Sequence, residues 1–191
     1  MKKTIGLFLL AIAVCIISIA AYTERVYQPR EGFRAPAFEM PAVADTTKTL
    51  RLADLKGRYV LLSFWSAADP QSRMRNMTYD AMTREIDRGL NHRADSIVFL
   101  SVNFDASHKL VRELAARDSL SVDYLGRIEG QAAQRLITDY RLADGYRAYL
   151  IDPSGRVVAR NTSRNNKADL VTEAARCGLK KYLIQINETK R

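Results

Sequence analysis

The sequence is poor in the residues that staple, ligate or break chains. Its 191 residues include two Cys, Cys15 and Cys177, which excludes a disulfide-dense mini-domain and a four-Cys zinc site. Two His, His92 and His108, leave little material for a metal cluster, and no metal site or cofactor is expected. Nine Gly and five Pro exclude collagen-like and Pro/Gly-rich disordered chains. A basic run interleaved with stacking aromatics is missing, and with it the signature of a nucleic-acid surface. No internal repeat or low-complexity tract occurs. What is present is the balance of a chain that buries a core, 47% apolar and 27% charged, at a length suited to one domain plus a tether.

The front end is an address. Lys2 and Lys3 precede an uncharged apolar stretch of 17 residues, Ile5 to Ala21. This is the n-region and h-region of a secretory signal, and the small residues Ser18 and Ala20 offer cleavage after Ala20. The stretch is also close to the roughly 17–25 residues a spanning helix needs. An uncleaved anchor through residues 5–21, its lysines on the cytoplasmic side, is therefore the alternative. A lipoprotein cysteine at Cys15 is disfavoured by the bulky Val14 before it and the apolar Ile16–Ala21 after it. Residues 1–21 are read as signal peptide or membrane anchor, 22–34 as linker and 35–188 as the folded domain. Either way the body leaves the cytoplasm, and the expected location is the envelope or periplasm of a bacterial cell.

Export bears on the cysteines and the charge. Cleavage would leave Cys177 alone, with no internal pair possible, and its place in a helical run reads as a small buried hydrophobe. Beyond Lys2 and Lys3 the chain carries 28 basic and 21 acidic residues, a net +7. Arg73, Arg75, Arg84 and Arg88 form the densest basic group, interleaved with Asp80, Glu85 and Asp87, and read as a solvated helix face. Weak attraction to an anionic surface is all this charge licenses.

Two continuous apolar runs, Tyr59–Phe64 and Ile97–Phe104, mark strands covered on both faces. Between them, Asp69 and Pro70 provide an N-cap and a first helical residue. Met74, Met77, Met82, Ile86 and Leu90 then predict the apolar face of that helix. A second helix should turn Leu110, Val111 and Leu114 inward, and a third should span Gly130–Tyr140. Tyr149–Ile151 and Val157–Ala159 flank Asp152–Pro153–Ser154–Gly155, which predicts a hairpin. A terminal helix is expected over 169–186. The Pro-bracketed Ala35–Pro41 reads as an edge strand or extended arm. The predicted order is this arm followed by β-α-β-α-α-β-β-α, an α/β fold with a mixed central sheet flanked by helices.

With Gly32 and Ala35–Phe38 at the entry, Leu52–Trp65 at the first core strand and Leu150–Val157 at the hairpin, this order resembles the thioredoxin-like fold. The match is to its exported TlpA/ResA-like, AhpC/TSA-related group, over roughly residues 30–186. The resemblance implies a Cys-x-x-Cys motif after the Phe64–Trp65 pair and a cis-proline before the hairpin strand. Here Ser66–Ala67–Ala68–Asp69–Pro70–Gln71–Ser72 follows, so Asp69 and Ser72 stand at the thiol positions and Tyr146 at the proline position. A carboxylate and a hydroxyl cannot exchange disulfides, and a cis bond before Tyr146 would cost roughly 3–4 kcal/mol, so that loop is expected to be trans.

The expected function is therefore a redox-inactive binding or pseudoenzyme module of the cell envelope, taking an envelope protein or peptide and no nucleic acid. Its candidate surface is Trp65, Asp69, Pro70, Gln71, Ser72 and Tyr146, with no catalytic residue among them. Trp65 is expected to pack at the core rim, and Tyr146 facing Asp69–Ser72 would make a polar-aromatic pocket. The alternative is a thiol-disulfide oxidoreductase or peroxidase acting through Cys177 or with an external thiol. Arg176, Lys180 and Lys181 supply positive charge near that thiol.

Overall fold

The computed structural model describes residues 31–89 and 97–161. The expected signal or anchor, most of the linker, Cys15, Leu90, His92, Cys177 and the helix over 169–186 lie outside those residues. The described chain begins with a small antiparallel pair, β1 (Glu39–Pro41) and β2 (Thr49–Arg51), in which Met40 faces Leu50. A 3-10 turn over Leu52–Leu55 leads to β3 (Val60–Trp65). There follow α1 (Pro70–Gly89), β4 (Val98–Asn103), α2 (His108–Arg117), β5 (Leu125–Arg127), α3 (Gly130–Asp139), β6 (Ala148–Ile151) and β7 (Val157–Arg160).

The five-stranded sheet has the order β5-β4-β3-β6-β7. β3, β4 and β5 are parallel, while β6 and β7 return antiparallel. Every residue of β3 and β4 is buried, as expected of predominantly apolar strands when helices cover both faces. Leu62, Phe64, Leu100, Val102 and Tyr149 form the core on the α3 side together with Tyr140. The Phe64 and Tyr140 rings are 4.8 Å apart, and the Tyr149 hydroxyl donates to the Tyr140 carbonyl at 2.6 Å. Leu61, Tyr79, Phe99 and Leu150 fill the opposite side, under α1. The predicted hairpin forms as expected, its loop tied by Asp152 Oδ1 accepting from the N–H groups of Ser154 and Arg156.

Four expectations are corrected. The helix after β4 is not followed directly by another, because β5 intervenes and pairs with β4. This strand is three residues long, and its centre is Gly126. A Cβ there would meet the Met40 side chain at 2.5 Å, so the position favours glycine, which blanks the strand signal. The predicted apolar face of α1 turns inward only in part: Met82 and Ile86 pack against the core, but Met74 is 60% and Met77 37% exposed, whereas Ser72, Asn76, Tyr79, Asp80 and Thr83 are buried. On α2, Leu110 is likewise exposed, and Val111, Leu114 and Ala115 face the core. Nor are the α1 arginines merely solvated, because tertiary acceptors outcompete water for them. Arg73 grips Asp118 with two hydrogen bonds of 2.6 and 2.7 Å, Arg75 reaches the Tyr146 carbonyl, and Arg84 pairs with buried Asp80.

Candidate functional site

The site lies where β3 runs out and α1 begins. Asp69 caps the helix as predicted, its Oδ1 accepting from the N–H groups of Gln71 (3.1 Å) and Ser72 (3.3 Å). Pro70 occupies the first helical position, where its missing N–H forfeits nothing. Ser72 is wholly buried; its hydroxyl donates to the Asp69 carbonyl at 2.9 Å and accepts from the Ser66 N–H at 3.3 Å.

A carboxylate from outside the motif fastens the same turn. Asp105, just past β4, accepts from the Ser66 hydroxyl (2.7 Å), the Ala67 N–H (2.8 Å) and Asn103 Nδ2 (2.7 Å). Asn103 Oδ1 in turn accepts from the Asp105 N–H at 2.8 Å, and Ser66 Oγ accepts from the Ala68 N–H at 3.2 Å. Hydrogen bonds to a carboxylate are the stronger kind, so the turn is closed on itself. Sequence reasoning missed Asp105, Asn103 and Ser66. The usable signal was Asn103–Phe104–Asp105, a polar pair ending an otherwise apolar strand.

Tyr146 arrives from the other side, on the loop between α3 and β6, with Gly145 before it at φ +119°. All described peptide bonds are trans, as expected for this loop. The half-buried phenol is pushed up by desolvation, pulled down by a hydrogen bond with Ser66 and raised again by the charges of Asp105 and Asp69. The Tyr146 ring packs on Phe104 with centroids 5.3 Å apart, and Arg75 donates to its carbonyl at 2.8 Å. Tyr146 thus meets the motif turn at Ser66, whereas the expectation was a pocket between Tyr146 and Asp69–Ser72. Beside it, Phe104, Ala133, Ile137 and Tyr146 line a shallow groove of 540 Å³ with Glu129 and Gln134 among its polar lining residues.

Two of the six candidate surface residues are not on the surface. Trp65 is fully buried, not at the rim, because its Nε1–H has a partner inside: it donates to Ser101 Oγ at 2.8 Å, and that hydroxyl donates to Asn76 Oδ1 at 3.0 Å. Ser72 is sealed beneath the turn. Pro70 and Gln71 are exposed, and Asp69 and Tyr146 half-exposed. His108 contacts the Val43 carbonyl through Nε2 at 3.1 Å, and among the described residues no three potential ligands gather to hold a metal. No described helix is long and apolar enough to cross a membrane.

No family model and no curated protein matches the chain. Solved structures do. A thioredoxin-like protein from Parabacteroides distasonis is 24% identical, with a TM-score of 0.59 over 77% of this chain and 96% of that one. A thiol:disulfide interchange protein from Bacteroides sp. is 18% identical, with a TM-score of 0.64 over 77% and 89%. A secreted thiol-disulfide isomerase from Corynebacterium glutamicum is 14% identical, with a TM-score of 0.62 over 75% and 84%. These likenesses define the class: the protein has a thioredoxin-like fold, a mixed central sheet flanked by helices. At such identities the fold is shared, and the site must speak for the chemistry.

Proposed function

We propose that this is a redox-inactive thioredoxin-fold protein of the bacterial cell envelope that acts by binding a protein or peptide partner. The observation that carries the reading is the hydrogen-bonded turn Ser66–Ser72, in which Asp69 and Ser72 act as cap and buried tie where the family resemblance places two thiols. Neither side chain can form a mixed disulfide. The accessible edge formed by Asp69, Pro70, Gln71 and Tyr146, with the groove along Phe104 and Ile137, is the partner surface. Export is supported by the apolar run after Lys2 and Lys3 and by a fold neighbour described as secreted.

The test is reduction of insulin or a dithiol substrate by the purified chain, beside crosslinking and pull-down from intact envelopes. The expected result is no turnover, together with a specific partner lost when Asp69–Ser72 is mutated. Turnover that survives Cys177→Ser would overturn the reading. A second reading, thiol chemistry through Cys177 or an external thiol, draws support from neighbours described as thiol:disulfide interchange proteins. It requires the opposite outcome: activity abolished by Cys177→Ser and a thiol titrating below its ordinary value of about 8.5.

A further inference from the structure

The chain has no basic run, yet the fold collects three arginines at one corner. In the β6–β7 pair Tyr149 stands opposite Arg160, so the two share a side of the sheet. Arg147, two residues before Tyr149, is on that side as well. Arg141 follows Tyr140, whose carbonyl takes the Tyr149 hydroxyl at 2.6 Å. The end of α3 and the β6–β7 pair therefore bring Arg141, Arg147 and Arg160 to one corner of the fold, beside Tyr149.

Among the described residues their charges are not neutralised. Arg51, Arg73, Arg84, Arg117 and Arg127 each reach a carboxylate. Among the described residues, Arg141, Arg147 and Arg160 form no such pair, and the buried Nε of Arg147 has no hydrogen-bond partner. Burial pushes the Tyr149 phenol up to about 12, while Arg147, Arg160 and Arg141 each pull it back.

Cations at a helix C-terminus often serve only its carbonyls. Here the carbonyls of Leu136, Ile137 and Thr138 are taken by the N–H groups of Tyr140, Leu142 and Arg141, and that of Tyr140 by Tyr149. Arg141 holds φ +49° in this closure. Ser119 closes α2 in the same way at φ +53°, so the conformation marks no site by itself; it fixes where the Arg141 side chain starts.

We propose that Arg141, Arg147 and Arg160 form a binding site for a phosphate-bearing anion, independent of what occupies the groove. Guanidinium forks pair bidentately with carboxylate and phosphate alike. A carboxylate's two oxygens match one fork, whereas a terminal phosphate offers three oxygens and up to two negative charges to a site with three forks. A soluble phosphate ester and a phosphomonoester lipid headgroup present the same group.

The test titrates the full chain with inorganic phosphate at constant ionic strength, reading amide shifts, and separately with phosphatidic acid and phosphatidylcholine vesicles. Saturable phosphate binding in the range of about 1 mM is expected, weakened about tenfold or more by Arg147→Gln and by Arg141→Gln with Arg160→Gln. Arg112→Gln, at an exposed position of α2, should leave it unchanged. If Arg147→Gln fails to fold, the Arg141/Arg160 pair decides alone. Cluster-dependent binding to free phosphate supports a soluble ligand, and cluster-dependent binding to phosphatidic acid vesicles alone supports a headgroup. The proposal is overturned by no saturation up to about 10 mM together with vesicle binding that is the same in every variant. Tighter, cluster-dependent binding of a polyglutamate peptide than of phosphate overturns it too.

Discussion

Restoring both sulfurs, Asp69→Cys with Ser72→Cys, puts the site to a quantitative test. Removing the Asp69 cap should cost about 0.5–2 kcal/mol. The Ser72 hydroxyl makes two hydrogen bonds, a part-buried one to the Asp69 carbonyl and a buried one from the Ser66 N–H. Each is worth about 0.5–1.5 kcal/mol net, and a thiol replaces them poorly. The reduced double variant should therefore be less stable by about 2–4 kcal/mol, a large share of the 5–15 kcal/mol typical of a domain. The i, i+3 spacing at a helix start allows a disulfide, and closing so short a loop should return about 2 kcal/mol. Urea unfolding with and without reductant reads both numbers. With an m-value of about 1–3 kcal/mol/M, the reduced midpoint should fall by about 1–3 M, and the oxidised form should recover roughly half.

Turnover of insulin by the double variant should still be poor, because the Tyr146 phenol sits on Ser66 and its carbonyl is held by Arg75. Adding Tyr146→Pro should raise it well above the double variant. A reduced double variant as stable as the wild type would refute the argument, since the Asp69 and Ser72 bonds would then carry nothing. Turnover equal to that of an ordinary thioredoxin would show that Tyr146 does not obstruct the site.

Asp105→Ala leaves the Ser66 hydroxyl, the Ala67 N–H and Asn103 Nδ2 without their shared acceptor. It should cost about 3–5 kcal/mol in urea unfolding, and a loss under about 0.5 kcal/mol would rule out that role. Asp118 and Asp80 should respond to pH in opposite senses. The Arg73 hydrogen bonds hold Asp118 below the usual carboxylate range, so its stability is present above about pH 4 and lost as pH falls through its folded-state value; Asp118→Asn should flatten that acid limb. Burial raises Asp80, so the wild type loses stability as pH climbs from about 4 toward the folded-state value, and Asp80→Asn should gain on it across that window. Gly126→Ala forces Met40 from its place and should cost about 1–3 kcal/mol.

What could be read in advance was whatever depends on local chemistry. β3 and β4 were visible because six successive buried residues are mostly apolar, broken here only by Ser63 in β3 and by Ser101 and Asn103 in β4. The hairpin and the Asp69–Pro70 helix start were visible because turn and cap residues act through their own backbone. The rest was decided by partners distant in sequence. Gly126 belongs to a strand only because β4 and Met40 lie against it. The inward face of α1 is polar at Ser72, Asn76 and Asp80 because Ser101 and the Ser121 N–H offer partners there. Helical periodicity alone assigns such a stripe to solvent. Trp65 looked like rim packing until Ser101 supplied an acceptor for its indole N–H.

The two positions that resemble a thiol pair have separate roles here, and that separation can be measured. Ser72 is sealed and hydrogen-bonded on both sides, so its loss acts on the fold. Asp69 uses Oδ1 for the cap and is half-exposed, so its charge can also face a partner. Asn caps a helix about as well as Asp, which makes Asp69→Asn a change of charge with the cap retained. Tyr146→Phe removes a hydroxyl and keeps the ring on Phe104. Ser72→Ala should destabilise by about 1–3 kcal/mol, since it strands the Ser66 N–H. At equal folded concentration it should still capture the envelope partner. Asp69→Asn and Tyr146→Phe should leave the unfolding free energy within about 1 kcal/mol of wild type and weaken capture. If both retain full capture while Ser72→Ala loses it, the partner surface lies elsewhere on the molecule, and the turn Ser66–Ser72 serves the fold alone.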